Sequence, residues 1–100
     1  MTFPRKVNLY EVGPRDGLQN EKEIIPIDVK VNLINKLINC NFKEIEIGSF
    51  VSPKWVPQMA DSEIIIDEIN KTETISFPVL TPNLKGVKKA IEKKADTVCV

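Results

Sequence analysis

An arginine and an aspartate stand side by side at Arg15-Asp16, just past a short extended segment that stops at Gly13-Pro14. A cation and an anion placed together beyond a strand end can polarise a carbonyl and hold a metal ion. A third charge, Glu46, lies within another extended segment, Lys43-Glu44-Ile45-Glu46-Ile47-Gly48. Alternate residues of a strand share a face, so Glu46 points one way while Ile45 and Ile47 point the other. An acid turned into a protein interior is costly unless it is paired. Arg15, from a neighbouring strand end, is its natural partner, and an arginine–carboxylate pair fixes the guanidinium in a defined direction. Asp16 is then left for something positive; a hard divalent cation suits a lone carboxylate in an oxygen-rich site.

These residues need elements to hold them, and the chain alternates two periodicities. Val7–Val12 reads as a strand of β-branched and aromatic residues ended by Gly-Pro. Pro26 opens a helix where its missing N–H costs nothing, and Ile27, Val31, Ile34 and Ile38, with Leu33 and Leu37 beside them, form one apolar stripe. Asn39–Asn41 ends that helix. Lys43–Gly48 is the second strand, followed by a long loop, Ser49–Ala60, with Pro53, Trp55, Pro57 and Met59; it packs on the sheet or on a ligand. Asp61 or Ser62 caps a second helix over about Glu63–Lys71, with Ile65, Ile66 and Ile69 facing inward. Thr74–Leu80 is a third strand. Thr81 as cap and Pro82 as first residue open a third helix lined by Leu84, Val87, Ala90 and Ile91, and Asp96–Val100 is a fourth strand. Strands alternating with helices imply parallel pairing with right-handed crossovers. A doubly wound sheet shares this pattern, but no glycine-rich phosphate loop follows the first strand.

Composition narrows the function classes. The 14 basic and 14 acidic residues cancel, so charge gives no case for nucleic acid or an anionic membrane surface as a partner. Lys85, Lys88, Lys89, Lys93 and Lys94 read as a solvated helix face. No apolar run approaches the length of a bilayer span. Cys40 and Cys99 form no CxxC pair and read as reduced, mostly buried thiols. With no secretory segment at the start, the expected location is cytoplasmic.

The string Gly13-Pro14-Arg15-Asp16-Gly17-Leu18-Gln19-Asn20-Glu21 is similar to the signature of the hydroxymethylglutaryl-CoA lyases. So are Ser49-Phe50-Val51-Ser52-Pro53-Lys54-Trp55-Val56-Pro57-Gln58-Met59 and Pro78-Val79-Leu80-Thr81-Pro82-Asn83-Leu84-Lys85-Gly86. The motifs lie in register and span essentially the whole chain. Arg15, Asp16 and Glu46 alone would suit the wider superfamily of aldolase-like metallolyases and Claisen synthases; the flanking Gly-Pro and Leu-Gln-Asn-Glu point to the lyase branch.

The resemblance implies a (β/α)8 barrel of parallel strands, with residues 1–100 as its N-terminal half, about four β/α units cut at the fourth strand, and an active site at the C-terminal strand ends. It implies metal-dependent cleavage of 3-hydroxy-3-methylglutaryl-CoA to acetoacetate and acetyl-CoA, as in leucine breakdown and ketone-body formation. In that chemistry Asp16 is a ligand to Mg²⁺ or Mn²⁺, Arg15 stabilises the enolate oxygen, Glu46 holds Arg15, and Gln19 and Ser49 contact the acyl-CoA substrate. The family also uses an H-x-H pair and an asparagine from later strands, and this chain has no histidine. The family's catalytic cysteine sits on a later loop, so Cys99 reads as core. The chain is therefore expected to be a truncated piece without lyase activity of its own. Two alternatives stand beside this reading. One is a non-catalytic half-barrel that covers its open face by self-association, for example as a homodimer. The other is a fragment of a Claisen synthase of the isopropylmalate or homocitrate type.

Overall fold

The computed structural model describes residues 2–100. Its elements run β1 (Tyr10–Glu11), α1 (Ile27–Ile38), β2 (Glu44–Ile45), β3 (Gly48–Ser49), α2 (Ser62–Glu68), β4 (Val79–Leu80), α3 (Leu84–Glu92) and β5 (Val98–Cys99). Every strand pair is parallel: β1 with β2, β3 with β4, and β4 with β5. The stretch from β2 to β3 behaves as one strand bonded on both sides. Glu46 N–H donates to Glu11 O at 2.8 Å, while Ile45 and Ile47 N–H donate to Ser76 O and Pro78 O, each at 3.0 Å. Spatial order therefore follows chain order with no reversal. That is how a barrel winds, whereas a doubly wound sheet turns back at a switch point.

The alternation expected around Glu46 holds. Ile45 and Ile47 are 0% and 2% exposed, packed into a cluster with Ile34 of α1, Ile65 and Ile66 of α2 and Ala90 of α3. Pro26 precedes the first helical residue of α1, and Asn41 adopts φ 64°, a left-handed conformation that asparagine tolerates and that turns the chain toward β2.

Other expectations are corrected by longer-range contacts. The first strand is paired only at Tyr10–Glu11, and Val7 and Leu9 are exposed. The second helix stops at Glu68 rather than Lys71, because the Asn35 side chain of α1 takes the Asn70 N–H at 2.8 Å and Ile69 is already extended. Neither Asp61 nor Ser62 caps that helix with its side chain; Asp61 binds Lys30, and Ser62 Oγ donates to Met59 O at 2.8 Å. Thr81 does not open α3 either. It is buried, with its hydroxyl on Cys99 O at 3.0 Å, and Asn83 is the cap, its Oδ1 accepting from Gly86 N–H at 2.9 Å.

Helix α3 packs through its smallest residues, Gly86 and Ala90, while Leu84 and Ile91, expected to face inward, are exposed. Its lysines lie on a solvated face, where two of them make surface pairs to α2, Lys89 with Glu63 and Lys93 with Asp67 at 2.8 Å. Those partners raise the pKa of both lysines and lower that of Asp67. Trp55 is 79% exposed, so its ring packs on no part of the sheet. Both cysteines are free thiols, but Cys40 is exposed and Cys99 half-buried, so neither is the buried core thiol expected.

Candidate active site at the strand ends

The Gly13–Gly17 segment closes into a π-helical turn directly after β1. Val12 O accepts from the N–H groups of Arg15, Asp16 and Gly17 at 3.1, 2.7 and 3.3 Å. Pro14 is buried beneath the turn, and the Glu11 carboxylate holds the Gly13 N–H at 2.8 Å. This tight geometry lifts two consecutive charged residues onto the C-terminal edge of the sheet.

There Arg15 Nε meets Glu46 Oε1 at 2.6 Å, the side chains being 17% and 5% exposed. Short, charge-assisted bonds of this kind are about twice as strong as neutral ones. Asp16 lies on the open side, 59% exposed at its side chain, with Oδ1 at 3.5 Å from Arg15 Nη1. Two groups that sequence reading did not place here complete the cluster. The Cys99 thiol approaches Glu46 Oε2 at 3.9 Å, and the Tyr10 hydroxyl lies against Cys99 Sγ. Burial, the Cys99 contact and the Glu46 charge together push the Tyr10 phenol well above its ordinary value. The signal for these two was available in hindsight: both sit at the C-terminal ends of parallel strands, where inward side chains converge.

The structure thus brings together Arg15, Asp16 and Glu46. Gln19 is half-buried on the loop that follows the turn. Ser49, at the end of β3, is 2% exposed; its hydroxyl donates to Leu80 O at 3.3 Å and its backbone N–H to Ser62 Oγ at 3.0 Å. A cavity of about 300 Å³ lies beside it, lined by Phe50, Pro53, Asn83 and Lys85 among others.

Asp16 is an exposed oxygen donor at the mouth of the sheet and suits one position in a divalent ion's coordination shell. Among the described residues no group of three or more His, Cys, Asp or Glu side chains could hold a metal ion. Further ligands are needed, since such ions take six or more oxygen or nitrogen donors.

Known proteins resemble this chain closely. The HMGL-like family model matches residues 6–100. The mitochondrial hydroxymethylglutaryl-CoA lyase of Gallus gallus is 52% identical over 98% of the chain, which covers 33% of that protein. The mitochondrial lyase of Arabidopsis thaliana is 50% identical over 98% of the chain and 21% of its own length. The crystal structure of the Pseudomonas aeruginosa lyase superposes with a TM-score of 0.94 at 48% identity, covering 98% of this chain and 33% of that one. A lyase from Acinetobacter baumannii, solved with coenzyme A and 3-methylmalate, matches at TM-score 0.89 and 44% identity over 91% of this chain and 30% of its own. The chain spans about a third of the length of the animal relatives it matches.

Hydroxymethylglutaryl-CoA lyases of this kind are metal-dependent carbon–carbon lyases. The cytoplasmic expectation is overturned: the matched lyases of chicken, mouse and Arabidopsis are mitochondrial proteins. With the family model running from residue 6 to residue 100 and half-identity to its lyases throughout, the chain belongs to the HMGL-like family.

Proposed function

We propose that these residues form the N-terminal part of the catalytic barrel of a hydroxymethylglutaryl-CoA lyase, which cleaves 3-hydroxy-3-methylglutaryl-CoA to acetoacetate and acetyl-CoA. The observation that carries this reading is the Arg15–Glu46 ion pair beside Asp16 at the C-terminal ends of parallel strands. The coenzyme A bound in the Acinetobacter baumannii relative supports an acyl-CoA substrate.

In the cleavage, the tertiary hydroxyl of the substrate loses its proton and its oxygen becomes the ketone of acetoacetate. The adjacent carbon–carbon bond breaks, and its electron pair passes into the thioester as the enolate of acetyl-CoA. Protonation at carbon completes the product. Arg15 holds the enolate oxygen as charge develops there; a well-aimed donor of this kind contributes roughly 3–4 kcal/mol of barrier lowering. Glu46, buried on the same face, keeps the guanidinium aimed. Asp16 would supply one ligand to Mg²⁺ or Mn²⁺, and an ion held there would lower the pKa of the substrate hydroxyl and orient it. Gln19, from the adjoining loop, and Ser49, at the end of β3, contact the acyl-CoA substrate. The place of this reaction is leucine breakdown and ketone-body formation.

The test is acetoacetate release from 3-hydroxy-3-methylglutaryl-CoA with Mg²⁺. Turnover is expected from a full-length polypeptide carrying these residues and is expected to fall by about 10²–10³ on Arg15→Gln; the 100-residue chain alone is expected to give none. A full-length protein that ignores this substrate and instead condenses acetyl-CoA with an oxo acid would move the assignment to the Claisen synthases.

Self-association is a second reading for the 100-residue piece, favoured by the exposed Val7, Leu9, Ile91 and Val98. Gel filtration decides it: a defined dimer supports pairing of open faces, and a monomer excludes it.

A further inference from the structure

The loop between the Arg15–Asp16 turn and α1 is held by a side chain from the far side of the sheet edge. Gln58 is 4% exposed and spends its whole carboxamide on that loop. Its Oε1 accepts from Ile25 N–H at 2.9 Å, and its Nε2 donates to Glu23 O at 2.7 Å and Glu21 O at 3.1 Å. Gln58 is itself anchored. The Lys30 ammonium, 1% exposed, donates to Gln58 O and to both oxygens of Asp61 at 2.9 Å. The other end of the loop is tied as well, by Asn20 Nδ2 on Asp16 O at 3.0 Å. Gln19 lies within the turn that Asn20 closes, two residues before Glu21, the first carbonyl that Gln58 holds.

Burying an ammonium and an amide is a poor way to gain stability, because apolar replacements of similar volume are often as good or better. A buried, fully satisfied polar network does fix one geometry. We propose that Gln58 is a positioning residue of the active site, clamping the loop of residues 18–25 so that Gln19 is held toward the acyl group, with Lys30 as the anchor beneath it. This inference rests on the lyase reading and names a residue pair that acts through the loop, touching no reacting atom.

The experiment compares Gln58→Met, which keeps the shape and loses every bond, with Gln58→Glu, which keeps the acceptor for Ile25 and loses both donors. In the full-length polypeptide, Gln58→Met raises KM for 3-hydroxy-3-methylglutaryl-CoA about tenfold while kcat stays within about threefold, because uniform binding through the loop is what is lost. Gln58→Glu falls between. Exchange of the Ile25 amide quickens about tenfold in Gln58→Met and stays near wild type in Gln58→Glu. A purely structural role would lower the active fraction and leave KM alone, and that result overturns the inference. So does unchanged exchange at Ile25. If Gln58→Met does not fold, the KM of Gln58→Glu decides by the same criterion. Arg15→Gln run alongside separates the two failures. If it keeps turnover, the lyase reading falls, and the exchange data still report on the clamp. If it lowers kcat as expected while both Gln58 variants behave as wild type, the clamp alone falls.

Discussion

Arg15 and Glu46 are 31 positions apart in the chain and 2.6 Å apart in space. The turn after β1 supplies one partner and the strand running through β2 supplies the other, so the pair exists only when adjacent parallel strands are in register. Glu46 holds Nε, and on the open side Nη1 lies 3.5 Å from Asp16 Oδ1.

Arg15→Gln removes a donor aimed at the enolate oxygen. In the full-length polypeptide kcat is expected to fall by about 10²–10³ with KM little changed, the range reported for loss of such a donor. Arg15→Lys keeps the charge but not the fork that meets Glu46, and it is expected to recover only part of that loss. Steady-state measurement of acetoacetate release checks both. Equal effects on KM and none on kcat would place Arg15 in binding instead.

Glu46→Gln leaves the guanidinium present but held by a neutral acceptor. The difference between a charged and a neutral bond is about 1–2 kcal/mol. The expected loss in kcat is therefore about tenfold, smaller than for Arg15. The double variant with Arg15→Gln should be no worse than Arg15→Gln alone, since Glu46 acts through Arg15. Additive losses would mean that Glu46 has a role of its own in the reaction.

Tyr10 is the chain's one tyrosine, so tyrosinate absorbance near 295 nm reports on it without ambiguity. Its phenol is held neutral by burial, by Cys99 and by the Glu46 charge, above its ordinary value of 10.0. The folded state thus binds this proton more tightly than the unfolded state. The stabilisation is complete below about pH 10 and drains away as pH rises past that value, where the unfolded chain begins to lose its proton. The folded protein is expected to show its tyrosinate step displaced above pH 10. Tyr10→Phe should flatten the alkaline limb of a stability–pH curve. An ordinary titration in the folded protein would show that the Glu46 face does not reach Tyr10.

Lys30 illustrates what the sequence could not convey. Arg15, Asp16 and Glu46 were legible because Gly-Pro ends a strand and strand alternation sets Glu46 opposite Ile45 and Ile47. The alternation of strands and helices was legible because each helix repeats its own period, while the choice of a barrel over a doubly wound sheet came from the family resemblance. Lys30 sits in α1 beside the apolar stripe, and nothing in the local sequence marks it as buried; its partners are Gln58 and Asp61, 28 and 31 positions away. The inward stripe of α3 was misjudged for a related reason. Periodicity identifies a helix but not how closely it packs, and here the small pair Gly86 and Ala90 sets the contact. Thr81, a good cap by type, is claimed by the strand end at Cys99.

Removing one partner of the Lys30–Asp61 pair strands a buried charge. Lys30→Met is expected to destabilise the fold by about 3–5 kcal/mol, read as a lowered urea midpoint. Adding Asp61→Leu to Lys30→Met should restore much of that loss, since two apolar groups can replace a buried ion pair. Failure of the second change to recover stability would show that the Lys30 bond to Gln58 O, rather than the ion pair, carries the energy.

Gly86 gives a prediction whose sign opposes helix propensity. In an exposed helix interior, glycine to alanine would gain up to about 1 kcal/mol. Gly86 is in the first turn of α3, its N–H on the Asn83 cap, and a Cβ there would fall 2.6 Å from Phe50 O and 3.4 Å from Thr81 Cα. Both obstacles are backbone atoms, so neither can swing aside as a flexible side chain would. Phe50 N–H is bonded to Leu80 O at 2.9 Å and Thr81 N–H to Cys99 O at 2.8 Å, which ties the obstacles to the sheet itself. The helix must therefore move outward, breaking the close packing at Ala90. Overpacking of this kind costs about 1–3 kcal/mol, so Gly86→Ala is expected to lower the urea midpoint despite the better helix former. A raised midpoint would mean that α3 stands further from the Phe50 and Thr81 backbones than the structure has it.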